Sequence, residues 1–138
     1  MCYIAAIIAR EVLDYTCNVA EAGMTTDDLD KLAHDEMVRR GVFPSPLNYR
    51  GFPKSICTSV NEVACHGIPS ADIILNKGDL LSIDVSLFHK GFHGDNCATV
   101  IIGNDTLPDQ PDVAAHRQLI ASNIRALDAA IAACGPGR

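Results

Sequence analysis

Residues 80–102, LLSIDVSLFHKGFHGDNCATVII, alternate polar and apolar side chains over two runs with a short turn at His89-Lys90-Gly91 between them. Leu81, Ile83, Val85 and Leu87 interleave with Ser82, Asp84 and Ser86. His93, Asp95, Cys97 and Thr99 interleave with Gly94, Asn96, Ala98 and Val100. Strand side chains change face at every residue, so the pattern predicts an antiparallel hairpin in which each strand carries one polar row. A turn with an even number of loop residues places Asp84 and Asp95 on the same face, directly opposite or diagonal. Two bare carboxylates at that range repel, so one of them takes up a proton or the pair finds a cation. Hard cations take such oxygen ligands, and two-metal hydrolases hold their ions about 3.5–4 Å apart. The hairpin alone leaves a plainer reading open: a half-solvated ribbon with two Asp facing water.

The other segments decide what the hairpin can pack against. Ile4, Ile8, Val12, Tyr15 and Val19 recur three or four apart, which predicts a helix over residues 1–21 with that stripe inward. Gly23 stands where a left-handed cap would end it. Thr25 and Asp28 form a capping-box pattern, with Asp in place of Glu, for a second helix to about Arg40. Its inward residues are Leu29, Leu32, Ala33 and Met37, and Gly41 stops it. Val42–Ser55 carries three prolines and a glycine, so it is a stiff loop, with Phe43, Leu47, Tyr49 and Phe52 as its anchors. Ile56–Val60 and Val63–His66 read as short strands around Asn61-Glu62, which puts His66 at a strand end. Asn76-Lys77-Gly78-Asp79 is a turn that launches the hairpin. Beyond Gly103 a proline-containing link leads to a third helix, from Asp112 to about Ala133, with Val113, Ile120, Ile124, Leu127 and Ile131 inward. The fold class is α/β in the mixed, α+β sense: an antiparallel, curved sheet with helices on one face and the polar row on the other.

Composition bounds the function. A chain of 138 residues, 48% apolar and 20% charged, suits one soluble domain with a modest core. A net charge of −6 gives no sign of a nucleic-acid or anionic-membrane partner. The opening MCYIAAIIA is too short to span a bilayer and has no basic flank, so no membrane association is expected. The expected location is cytoplasmic, or an organelle matrix if a targeting segment lies upstream. Six cysteines without a C-x-x-C pair argue against a structural zinc site and for free thiols.

LNYRGFPKSICTSVNEVACHGIP and GDLLSIDVSLFHKGFHGD, in that order, resemble the first half of a type I methionine aminopeptidase. AREVLDYT in the first helix and MTTDDLD at the start of the second fit as well, so the resemblance covers essentially the whole chain. It implies half of a pita-bread fold, with residues 1–138 as the N-terminal half of the domain and the second half absent. It implies removal of the initiator methionine from nascent proteins, with N-terminal methionyl peptides as substrate and the ribosome as a further partner. Two divalent ions (Co, Mn, Fe or Zn) would be the cofactors, with Asp84 and Asp95 as metal ligands. His66 would be catalytic and contact the substrate backbone, while Tyr49, Phe52 and Cys57 would line the methionine pocket. Asn61 and Val63 fall where such enzymes hold a monovalent cation. Arg50, Asn96 and Cys97 depart from the family's usual residues. The family's remaining metal ligands, a His and two Glu, have no counterpart here, so the chain alone is expected to be inactive. The alternative is a truncated, non-catalytic paralogue that binds peptides or the ribosome.

Overall fold

The computed structural model describes residues 2–104 and 111–137, the side chain of Pro111 excepted. They form two compact units, the first ending at Asn104. The proline-containing link expected after Gly103 lies largely outside the described residues.

The first unit is built on the hairpin. Strand β3 (Leu80–His89) pairs antiparallel with β4 (Phe92–Ile101) along its full length. Only Lys90 and Gly91 lie between them, both left-handed, with φ of 47° and 91°. Such a two-residue turn matches the right-handed twist of the strands. His89 is therefore a strand residue and not part of the turn. The other edge of β3 is shared by β1 (Phe43–Pro44) near its end and β2 (Cys57–Val60) near its start, both antiparallel. A four-stranded antiparallel sheet results.

Leu81, Ile83, Val85 and Leu87 are completely buried, as strict alternation requires of the row that faces the helices. Above them lie α1 (Cys2–Val19) and α2 (Thr26–Arg39). Val12, Leu13, Leu29, Ala33 and Met37 close the core together with Ile56, Leu75 and Ile102.

The α1 stripe differs from the expected one. Ala5, Ala9, Val12, Leu13 and Thr16 are buried, whereas Ile4 is 45% exposed. The cause is close packing of helix on strand. A Cβ on Gly94 of β4 would stand 2.2 Å from the Ala5 carbonyl oxygen, so the helix presents its smallest residues there. The Asn96 side chain donates to the Ala6 carbonyl at 3.2 Å and fastens the contact. Gly23 is left-handed, with φ 95°, but lies four residues beyond Val19 and is no cap. It donates instead to the Leu75 carbonyl at 2.8 Å.

The capping box on α2 is as expected. The Thr25 hydroxyl accepts from the Asp28 amide, and the Thr25 amide donates back to the Asp28 carboxylate. At the other end Gly41 donates to Val38 and Val42 to Met37, the paired bonds of a left-handed glycine stop.

In the second unit α3 runs Pro111–Ala133, with proline at its start where a missing N–H costs nothing. Ile124, Leu127 and Ile131, expected inward, are each more than half exposed. A single helix has no layer within its own unit against which to lay an apolar stripe.

Candidate active site

The hairpin register puts Asp84 opposite Cys97 and Ser86 opposite Asp95. Asp84 and Asp95 are therefore diagonal neighbours on the face away from the helices. On the other side of β3, Cys57 lies opposite Asp84. A row Cys57–Asp84–Cys97 thus crosses three strands, with Asp95 beside it. The Ser86 hydroxyl donates to an Asp95 carboxylate oxygen at 2.8 Å and fixes its rotamer.

Electrostatics follow from this crowding. Burial raises the Asp84 carboxyl above its ordinary value; the Asp95 charge and a hydrogen bond between the two carboxyls add to the rise, and His66 opposes it. Burial, with Asp84 second, pushes the Cys57 thiol up to about 11, and Cys97 is raised for the same reasons. The row thus sets two crowded carboxyls beside neutral thiols, and a divalent cation would relieve the repulsion between the carboxylates.

His66 does not end a strand. Residues 63–66 form no ladder, and His66 is left-handed with φ 53°. The chain turns back there onto β2: the Thr58 amide donates to the Gly67 carbonyl at 2.9 Å, and the Gly67 amide to the Ser59 hydroxyl at 3.2 Å. A Cβ on Gly67 would come within 2.1 Å of the Thr58 carbonyl oxygen. The absence of a side chain at Gly67 is what brings His66 against the sheet.

The third wall is the loop after β1. Ser45 donates its amide to the Ser86 carbonyl at 2.9 Å, and Asn48 donates to Phe52 at 2.8 Å. Asn48 and Arg50 are left-handed, with φ of 65° and 50°. Phe43 and Tyr49 do not anchor this loop, being 52% and 64% exposed; buried Val42 and Pro44 flank Phe43 instead. Alternation on β1 turns Phe43 outward, and the turn at Asn48–Gly51 does the same for Tyr49. At its far end the buried Asp30 carboxylate accepts from the Ser55 and Ile56 amides at 2.8 and 3.0 Å, and His34 Nδ1 meets the Ser55 hydroxyl at 2.8 Å. Helix α2 thereby sets where β2, and so Cys57, begins.

These walls enclose a cleft of about 630 Å³, lined by His66, Tyr49, Phe52, Cys57 and Asp84 together with Arg50, Ile68, Ser86 and His93. Asp95 is tied to that lining through Ser86. His93 and Ser45 went unremarked in the sequence as site residues; their side chains share a hydrogen bond of 2.8 Å. His93 could have been found, since it stands two residues before Asp95 and so on the same row. Ser45 carries no signal. The Asn61 side chain donates to the Asp79 carboxylate and accepts from the Leu80 amide, both at 3.0 Å. Among the described residues no three His, Cys, Asp or Glu converge as a metal site. None of the described helices is long and apolar enough to cross a membrane.

Residues 2–138 match the family model Peptidase_M24, metallopeptidase family M24. Methionine aminopeptidase 1D, mitochondrial, of Danio rerio is 46% identical over 134 residues, which is 97% of this chain and 37% of that protein. Methionine aminopeptidase 1 of Schizosaccharomyces pombe is 48% identical over 130 residues, 94% of this chain and 33% of its own length. The chain thus spans about a third of these relatives. Among solved structures, a methionine aminopeptidase from Thermotoga maritima superposes with a TM-score of 0.85 at 28% identity, over 96% of this chain and 51% of that one. One from Rickettsia prowazekii gives 0.70 at 42% identity, over 72% and 40%. Aminopeptidase P from Escherichia coli, 23% identical with a TM-score of 0.62 over 75% of this chain and 22% of its own, shares the fold. That shared architecture is the pita-bread fold expected from the motifs.

Proposed function

Since this chain belongs to metallopeptidase family M24, we propose that it supplies one half of a site at which a methionine aminopeptidase removes the N-terminal methionine from newly made proteins. What carries the reading is the placement of Asp84 and Asp95 on one face of the hairpin, beside a cleft that His66, Tyr49, Phe52 and Cys57 also line.

The donor set suits the family's divalent ions in kind. Two carboxylates, of which Asp84 is raised by burial first and by the Asp95 charge second, are oxygen ligands for Mn, Co, Fe or Zn, and Asp84 and Asp95 would hold the metal. In number they fall short, because no third ligand joins them among the described residues. On this reading further ligands complete the site, and these two carboxylates without them do not support turnover. A bound metal would supply an activated water and polarise the scissile carbonyl. The chain's own residues do the rest. Phe52, Tyr49 and Cys57 offer an apolar, polarizable wall to a methionine side chain. His66, held against β2 by Gly67, would donate a hydrogen bond to the scissile amide and favour the transition state over the ground state. A monovalent cation near Asn61 and Val63 would be held by backbone oxygens.

The shortage of ligands also favours a second reading, a peptide-binding module that keeps the cleft but does not cleave. One experiment separates them. Calorimetric titration with Mn²⁺ should give binding that Asp84→Asn and Asp95→Asn each weaken at least tenfold. The chain incubated with a Met-Ala-Ser peptide should release no methionine, whereas the protein carrying the missing ligands should release it in a chelator-sensitive way. Unchanged metal affinity in either variant removes the ligand assignment. Release by the chain alone removes the claim that it is incomplete. A protein that carries every ligand, binds metal and still does not cleave favours the binding module.

A further inference from the structure

The mouth of the cleft carries a cation that nothing described so far employs. Arg10, Arg39 and Arg40 each sit on a carboxylate. Arg50, by contrast, pairs with no acid among the described residues. Its guanidinium lies over the Tyr49 ring, 5.6 Å from the centroid, and both residues line the cleft. The position is imposed rather than incidental. Arg50 is left-handed at φ 50°, a conformation unfavourable for a residue with a Cβ, and the turn that enforces it is closed by Asn48 donating to Phe52 at 2.8 Å and Phe52 to Tyr49 at 3.0 Å. Stacking on an aromatic face holds a guanidinium plane while leaving its N–H edges free to meet a carboxylate.

Charge at the cleft is therefore ordered: Asp84 in the lining with Asp95 joined to it through Ser86, and a permanent cation at exposed Arg50. A peptide whose amino terminus is drawn to these acids and whose following residues leave past Arg50 meets that cation. On a chain of net charge −6 an anion is otherwise repelled, so a cation on this path favours an acidic side chain. The geometry points to Arg50 as a specificity-determining residue that favours methionyl peptides with an acidic side chain shortly after the methionine. This inference rests on the peptide reading given above.

The test is competition binding, followed by fluorescence anisotropy, with methionyl peptides in which one Asn is replaced by Asp at the second, third or fourth position. The expected result is a gain of about two- to fivefold for Asp at one position, the size of a solvent-facing ion pair, shrinking as salt is raised. Arg50→Gln should abolish the gain, and Arg50→Lys should keep part of it. Arg50 is exposed, so both variants should fold, which circular dichroism checks. An equal gain from Asp at every position, or a gain that survives Arg50→Gln, overturns the assignment. A peptide that needs its free amino terminus yet shows no Asp preference overturns Arg50 alone. Binding that is indifferent to acetylation of the amino terminus overturns the peptide reading beneath it.

Discussion

Glu36 shows how one side chain can set an acid limit. Its carboxylate accepts from Arg39 at 2.6 and 2.7 Å and from Arg40 at 2.6 Å, and these bonds, those from Arg39 foremost, hold it down to about 2. A carboxyl depressed on folding contributes stability that is complete above its unfolded value of 4.5 and is lost as pH falls through about 2. Urea midpoints measured as pH falls across that window should therefore drop less steeply in Glu36→Gln than in the wild type. Parallel curves would show that the two arginines do not hold the charge. Of the residues singled out from the motifs, His66, Tyr49, Phe52, Cys57 and Asp84 do line one cleft. His93 and Ser45 were missed because their meeting depends on β1 and β4 flanking the same end of β3. Sequence distance does not report that.

Between elements, the tightest fit is α1 on β4. Gly94→Ala would put a methyl group 2.2 Å from the Ala5 carbonyl oxygen, where backbone cannot yield without lifting the helix. A loss of about 2–4 kcal/mol in urea unfolding is expected, the upper range for an overpacked site. Thr25→Ala removes the capping box of α2 and should cost about 1 kcal/mol. If Gly94→Ala proves the milder change, α1 does not lie as close to the sheet as described. The hairpin and α2 were legible as elements because period-two alternation, a glycine turn and a capping box are local signals. The α1 stripe is met in part, with Val12 buried and Ile8 and Val19 packed on the core, while Ile4 turns outward because the close contact favours alanines at Ala5 and Ala9. The strand expected over residues 63–66 failed because composition favoured it while Gly67 committed the segment to β2 by single hydrogen bonds.

At the scale of the molecule, burial orders the six thiols. Cys17 and Cys57 are pushed up to about 11, chiefly by burial, while Cys2, Cys65, Cys97 and Cys134 are exposed. A thiol reagent followed by mass spectrometry should modify Cys2, Cys65 and Cys134 first, Cys97 more slowly because its thiol is raised, and Cys17 and Cys57 only on unfolding, because the thiolate is the reactive form. Early loss of Cys57 would mean that the cleft is open to its floor. The alternation of residues 80–102 was enough, by itself, to pair the strands, but it set both aspartates on one face only for an even-length turn; the structure decided that, by making His89 a strand residue and leaving Lys90 and Gly91 as the turn. The motifs were enough to name the family. Only the tertiary structure decided that His66 leaves the strand path, that Arg50 faces the cleft mouth and that alanines line the helix contact. His66 and the alanine contact depend on how closely two distant backbones approach, a distance set by the space that Gly67 and Gly94 leave, while Arg50 is held by the turn that Asn48 and Phe52 close; none of these is a pattern along the chain.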